Sequence, residues 1–252
     1  MSDITVDVRG LSKVFHDEGR GEVRAVDGID FQCHAGEIFG LLGANGAGKT
    51  TTLRMLATIL VPTSGTATVM GHDVRENPEK VRRALGFYSS STALYPRLTA
   101  RETIEFFARV NGYPGDEVAS RVYDLVVRFG IEEYADARVE KLSQGMKQKV
   151  SIARTVAHDP PVLIFDEPTV GLDVLNALDM QRVIGDFRDR GKSIIFSTHI
   201  MSEAERLCDR IAIIHHGLIL ACDSLEGLRA ATGHRYLEDI FVHFARDAGR
   251  EG

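Results

Sequence analysis

Apolar residues recur along this chain with two different periods, and the changes of period divide it into elements. Ile4, Val6 and Val8 alternate with polar positions, as do Ile29, Phe31 and Cys33, the period-two signature of strands with one buried face. Two strands of an antiparallel sheet are therefore predicted near the N-terminus, the first within Met1 to Arg9. Between them, Phe15 leads into a Gly- and charge-rich stretch, His16 to Glu22, that reads as a hairpin loop. Ile38-Phe39-Gly40-Leu41-Leu42, Val162 to Phe165 and Ser193 to Phe196 are short apolar runs without that alternation, as expected of strands covered on both faces. A helix is predicted from Lys49 to about Leu60 after the first run, and an amphipathic helix from about Val174 to Arg190 separates the other two. Such alternation of strand and helix implies a parallel sheet.

After Phe87 the pattern turns helical. Thr99-Ala100-Arg101-Glu102 has the form of a capping box, in which hydroxyl and carboxylate satisfy each other's backbone N–H groups. Ile104, Phe107 and Ala108 follow it at helical spacing. A second helical stretch runs from Asp116 to Phe129, and a third from Ser143, a suitable N-cap, to about Ala157. Ile211 to Ile214 and Leu218 to Ala221 read as a terminal hairpin. A polar turn explains the intervening His215-His216-Gly217 more simply than a metal site does.

Composition narrows the partners. The 252 residues and 44% apolar content allow one large domain or two small ones, with a sizeable core possible. A net charge of −6 argues against nucleic-acid binding. The densest basic cluster, Lys80, Arg82 and Arg83, falls on a short polar helix and reads as a solvated face. Cys33, Cys208 and Cys222 are far apart and lack metal-ligand spacing, which fits a reducing cytosol. The first residues lack the pattern of a signal peptide, and no apolar run is long enough to cross a bilayer. Any membrane passage is expected on another chain.

Two segments carry chemistry on their own terms. Gly43-Ala44-Asn45-Gly46-Ala47-Gly48-Lys49-Thr50 matches G-x-x-x-x-G-K-[ST]. In this motif backbone N–H groups wrap phosphates, the lysine reaches the β- and γ-phosphates, and the hydroxyl takes Mg²⁺. Strand before and helix after are the context it requires, and the helix start directs its dipole at the phosphates. Candidate nucleotide contacts are Gly43, Asn45, Gly46, Ala47, Gly48, Lys49, Thr50 and Thr51. In Val162-Leu163-Ile164-Phe165-Asp166-Glu167 an apolar run ends in two carboxylates, a costly place for Asp166 unless it is paired or holds a cation.

Leu142-Ser143-Gln144-Gly145-Met146, just upstream of that run, resembles the signature of the ABC (ATP-binding cassette) ATPases. With the phosphate loop, Asp166-Glu167 and Ser197-Thr198-His199 in the same order as in that family, the resemblance extends over nearly the whole chain. It implies an α/β P-loop fold with a mostly parallel core sheet, an N-terminal antiparallel β-subdomain and an inserted helical subdomain. On this reading residues 1–90 and 158–222 form the nucleotide-binding core, 91–157 the helical subdomain and 223–252 a helical tail. ATP and Mg²⁺ are the implied cofactors, with Thr50 and Asp166 on the metal. Glu167 is the implied general base, His199 the hydrogen-bond partner of the γ-phosphate, Lys49 the third catalytic group and Phe15 the aromatic that stacks on adenine. Ser143 and Gly145 would close on the ATP of a second copy in a head-to-tail homodimer, linked by Gly171-Leu172-Asp173.

One position departs from the family pattern. Where most cassettes carry a glutamine that reaches the metal and senses the membrane partner, this chain has Ser90 within Phe87-Tyr88-Ser89-Ser90-Ser91-Thr92. A serine is too short for that task, so coupling is expected to pass through a water or through Leu94, Tyr95 and Pro96. This feature, Met146-Lys147-Gln148-Lys149 and the acidic-aromatic Tyr236 to Phe241 resemble the ABC-2-type exporter branch that includes bacterial sodium-extrusion ATPases. The resemblance implies a transport ATPase on the cytoplasmic face of the cell membrane, serving a separately encoded integral membrane permease. Sodium leads as cargo; a drug, lipid or polysaccharide stays open. Soluble ABC proteins of DNA repair or translation need a coiled-coil insertion or a second cassette, for which this chain has no room. A plain P-loop kinase or GTPase would lack the signature and His199, and Glu167 disfavours a regulatory ATP binder without turnover.

Overall fold

The computed structural model describes residues 4–17, 19, 21–90 and 92–248. Met1 to Asp3 of the first predicted strand, Glu18 and Arg20 of the predicted loop, Ser91 and residues 249–252 of the tail lie outside them. The chain begins with β1 (Ile4–Asp17), β2 (Gly21–His34) and β3 (Ile38–Leu42), followed by α1 (Lys49–Leu56), β4 (Ser64–Val69) and β5 (His72–Asp73). Next come α2 (Pro78–Ala84), β6 (Leu85–Ser89), α3 (Ala100–Val110), α4 (Val118–Arg128) and α5 (Gln144–Thr155). The remainder is β7 (Val162–Asp166), α6 (Val174–Asp189), β8 (Ser193–Thr198), α7 (Met201–Leu207), β9 (Arg210–His215), β10 (Leu218–Asp223), α8 (Leu225–Thr232) and α9 (Leu237–Ala248).

Two sheets result. The antiparallel one runs β2-β1-β4-β5; the larger runs β10-β9-β3-β8-β7-β6 and is parallel except for the terminal hairpin. Every residue of β3, β7 and β8 is buried, as their unbroken apolar runs require. Alternate side chains still go to opposite faces. Leu163, Phe165, Ile194 and Phe196 join the apolar cluster built with α3, α4 and α5, whereas Val162, Ile164 and Ile195 join the one shared with α1 and the antiparallel sheet.

The structure corrects several boundaries. Strand pairing continues through His16↔Glu22 and Asp17↔Gly21, so the predicted loop is largely strand. Four register shifts let β1 stay paired past the point where its apolar alternation fails. The first helix stops at Leu56, four residues early, because Thr58 takes φ +58° and the N–H groups of Ile59 and Leu60 both turn back to Arg54 O. The apolar pattern does not predict β4, β5 or β6: Ser, Gly and Thr dominate β4, β5 is only His72–Asp73, and β6 is a short Leu85-Gly86-Phe87-Tyr88-Ser89 run without a clear period. The capping box is present in both directions: Glu102 N donates to Thr99 Oγ1 at 3.1 Å and Thr99 N to Glu102 Oε2 at 2.8 Å.

Behind α5 lies a histidine that the sequence does not mark. Burial lowers the pKa of His158 to about 4, opposed by a backbone contact at Leu85 and assisted by the charges of Lys192 and Arg121. A ring kept neutral in the fold contributes stability that is complete above its ordinary pKa of 6.5 and is lost as pH falls toward 4. Between pH 7 and pH 5 the parent should therefore lose about 2 kcal/mol more than His158→Gln does, read from urea midpoints at the two pH values. Equal losses in the two proteins would remove His158 from that role.

Candidate functional site

The phosphate loop hangs from the end of β3 and is braced by β8 and by the turn of the terminal hairpin, which is itself tied to β2. Gly43 N donates to Thr198 O at 3.3 Å, Gly217 N to Ala47 O at 2.9 Å, and Asp27 N to Gly217 O at 2.9 Å. The histidine turn thus supports the loop, a role that its sequence gives no sign of. Gly48 precedes α1 at φ +108°, and a Cβ there would sit 2.5 Å from Ala25 O, so both conformation and space call for glycine. Lys49 opens the helix, is 4% exposed, and donates to Gly43 O at 2.8 Å and Ala44 O at 3.1 Å. A cleft of about 190 Å³ is lined by Ala25, Asn45, Gly46, Gly48, Lys49, Thr50, Thr51 and Glu167. Its backbone donors, lysine and hydroxyls have the chemistry to hold a polyphosphate.

The carboxylates arrive from β7. Asp166 Oδ1 accepts from Thr50 Oγ1 at 3.1 Å and from Ser197 Oγ at 2.7 Å. A hydroxyl beside a buried carboxylate is a hard-oxygen set that suits Mg²⁺. The next residue, Glu167, takes φ +47°, a backbone conformation that non-glycine residues adopt only when held. Two acceptors on Ser197 hold its N–H, the backbone O at 3.2 Å and Oγ at 3.1 Å. Turned this way, Glu167 Oε1 lies 3.2 Å from Lys49 Nζ and 3.2 Å from His199 Nδ1. The loop carrying His199 is anchored in turn: Thr198 Oγ1 donates to the buried Glu203 at 2.8 Å and accepts from Ile200 N at 3.0 Å. No local sequence pattern marks Ser197 or Glu203 for these roles, although Ser197 stands two residues before His199.

Other expected residues lie elsewhere. Ser143 caps α5, its Oγ accepting from Met146 N at 3.3 Å. Gly145 follows in the first turn, and a Cβ on it would meet nothing within 4 Å. Neither lines the cleft of Lys49. Phe15, 38% exposed, pairs with Val23 and has Lys13 Nζ 5.2 Å from its ring centre. It also stands outside that lining, on the strand pair that contributes Ala25. Ser90, Leu94 and Pro96 border a separate cavity of about 450 Å³ together with Gln144, Gly171 and Leu172. Arg154 of α5 secures this loop, reaching Ala93 O at 3.2 Å and Thr92 O at 3.3 Å while lying 5.0 Å from the Phe107 ring. Desolvation lowers its pKa, and no local sequence pattern would have nominated it.

Comparison with known proteins decides the identity. The profile described as ABC transporter matches residues 26–170. Over 92% of this chain and 94% of its own length, the ABC transporter ATP-binding protein NatA of Bacillus subtilis (strain 168) is 40% identical. The chain belongs to the ABC transporter family. It is an ATP-binding, ATP-hydrolysing subunit of that family, as the resemblance implied. The daunorubicin/doxorubicin resistance ATP-binding protein DrrA of Streptomyces peucetius is 36% identical over 92% of this cassette and 69% of its own chain. Among solved structures, the dimeric post-hydrolysis state of the ATP-binding cassette MJ0796 bound to ADP and Pi superposes with a TM-score of 0.79. Its identity is 25%, over 87% of this cassette and 98% of that chain.

The two glycines should part in a stability measurement. Gly48→Ala meets Ala25 O and a positive φ and should lower stability by about 1–3 kcal/mol. Gly145→Ala, with open space around it in a helical turn, should be neutral or add up to about 1 kcal/mol. Thermal unfolding of the two variants without nucleotide checks this; comparable destabilisation would show that Gly145 has a structural task within the single chain.

Proposed function

We propose that this cassette powers export through a separately encoded membrane permease, binding ATP with Mg²⁺ and closing head-to-tail on a second copy of itself. The observation that carries the reading is a division of parts. Lys49, Thr50, Asp166, Glu167 and His199 meet at one cleft, while Ser143 and Gly145 stand clear of it with unfilled space above the glycine. A second copy would bring them together. Val174 and Leu175, each 75% exposed beside Gly171-Leu172-Asp173, supply an apolar strip for that contact.

In this mechanism the backbone of Gly43 to Thr51 and the Lys49 ammonium hold the phosphates, and Phe15 stacks on the adenine. Thr50 and Asp166 would hold Mg²⁺, which would supply positive charge against the phosphoryl oxygens. Glu167 orients the attacking water and accepts its proton, while His199 donates to the γ-phosphate. The Ser143 hydroxyl, the Gly145 N–H and the start of α5 supply donors from the partner copy.

The exporter-branch resemblance supports a peripheral subunit on the cytoplasmic face; among the described residues no helix is long and apolar enough to cross a membrane. The permease is expected to dock on the helical block of residues 91–157 and on the loop from Ser89 to Pro96. Tyr95, 53% exposed, packs there against Phe106 and Phe107 with ring centres 5.9 and 6.4 Å away. Sodium is the cargo that the exporter-branch resemblance supports; sodium efflux from vesicles holding the pair would test it.

Glu167→Gln should bind ATP yet lose nearly all hydrolysis and accumulate an ATP-stabilised dimer visible by light scattering. Lys49→Ala should lose ATP binding, and Gly145→Asp should keep binding while losing dimer and turnover. Parental hydrolysis in either Glu167→Gln or Gly145→Asp would sink the composite-site mechanism.

Docking has its own test, the ATPase rate with and without the reconstituted permease. Leu94→Ala and Tyr95→Ala should abolish stimulation by the permease, because apolar and aromatic anchors dominate such grooves. Ser90→Gln should bring no gain in coupled transport. Unchanged stimulation in both alanine variants would move the docking surface elsewhere.

A further inference from the structure

Away from the phosphate loop, a cavity of about 260 Å³ opens between the end of α4, the first half of α5 and α6. Its walls are apolar at Phe129, Ile152, Met180 and Val183, and cationic at Arg128 and Lys149. Among the described residues neither cation has a carboxylate within 4 Å. Arg128 is laid against Phe187, its guanidinium carbon 4.6 Å from the ring centre, and its solvent-shielded Nη2 has no hydrogen-bond partner. Lys149 reaches across from α5, placing Nζ 3.7 Å from where a Cβ of Gly130 would be, just past the end of α4.

A guanidinium in such a place is unusual. Buried charge normally carries a partner, since an unmet donor keeps its desolvation cost. Desolvation, with the neighbouring Arg190 charge, lowers the Arg128 pKa and outweighs the opposing attraction of Asp186 and Asp159. The other ionic residues at the cavity, Asp179 and Arg182, are paired with each other at 3.2 Å, so neither Arg128 nor Lys149 finds an ion-pair partner in the cavity wall. Two fixed donors at the rim of an apolar cavity match an anion with a hydrophobic body.

We propose that the cavity between α4, α5 and α6 binds a small organic carboxylate, its carboxylate on Arg128 and Lys149 and its apolar part, about one ring in size, against Phe129, Ile152, Met180 and Val183. Within one chain the cavity shares no residue with the cleft of Lys49, although Gly145 of the proposed composite ATP site belongs to its wall. Gly145 and Asn176 also line it, so a bound anion bridges the start of the signature helix to the start of α6. Both segments face the second cassette in the proposed dimer. The site therefore gives a metabolite a physical route to the ATPase cycle.

The test is a titration of the ¹⁵N-labelled chain, with ADP filling the phosphate loop, by benzoate and separately by benzamide, which has the same ring without the charge. The Arg128 Nε–Hε resonance is followed. Benzoate should shift it saturably and benzamide should not. Lys149→Gln, at an exposed position that leaves the fold intact, should weaken benzoate binding by roughly tenfold or more. Arg101→Gln, whose native partner is Asp136 at 2.8 Å, should bind as the parent does. No response to benzoate, an equal response to benzamide, undiminished binding in Lys149→Gln, or the same loss in Arg101→Gln would each overturn the proposal.

Discussion

The parallel pairing of β7 with β8 sets Asp166 directly beside Ser197, and the candidate catalytic geometry follows from that one register. Ser197 Oγ donates to Asp166 and accepts from Glu167 N, so a single hydroxyl orients one carboxylate and holds the left-handed backbone that aims the other. Shift the register by one residue and both side chains exchange faces. That register is held by the buried side chains of the two strands, whose alternate members pack into different cores. Apolar packing far from any phosphate thus secures the site's polar chemistry.

Glu167 sits between two cationic or protonatable partners, Lys49 and His199, that share the same oxygen. Each is delivered by a different strand end: Lys49 through the loop after β3, His199 after β8. Because β3 lies next to β8 and β8 next to β7, three neighbouring strands place their chemistry at one edge of the sheet. This is the general advantage of a parallel sheet, whose carboxyl ends all open on one side. The terminal hairpin adds Gly217 as a brace beneath the phosphate loop.

Arg154 plays a similar joining role on the opposite flank. It grows from the signature helix α5 and grips carbonyls of the loop that carries Leu94 and Tyr95. Movement of the loop and of the helix are therefore mechanically linked, although the chain departs from the usual glutamine at Ser90. Arg121 of α4 does comparable work just past the C-terminal end of α5, donating to Val156 O at 2.7 Å and Ala157 O at 3.2 Å. Both arginines satisfy carbonyls that a helix end or irregular loop would otherwise leave unpaired.

Local chemistry made much of this legible. A phosphate loop needs its glycines and lysine at fixed spacing, a capping box needs Thr99 and Glu102 three apart, and a fully covered strand needs an unbroken apolar run; each is written within a few consecutive residues. The sequence by itself therefore determined the strand-loop-helix of the nucleotide site, the end of β7 in two carboxylates, the capped helices and the family. What it could not determine is spread over long separations. Gly217 bracing Ala47, Ser197 joining Asp166 to Glu167, and Arg154 holding Thr92 and Ala93 depend on which strands are neighbours. Phe15 stands on a strand made long by register shifts that no local pattern records, and Arg128 and Lys149 share a cavity only because α4 and α5 pack together. Tertiary structure alone decided these, because hydrogen bonds and charges act over a few ångströms in space, whatever the separation along the chain.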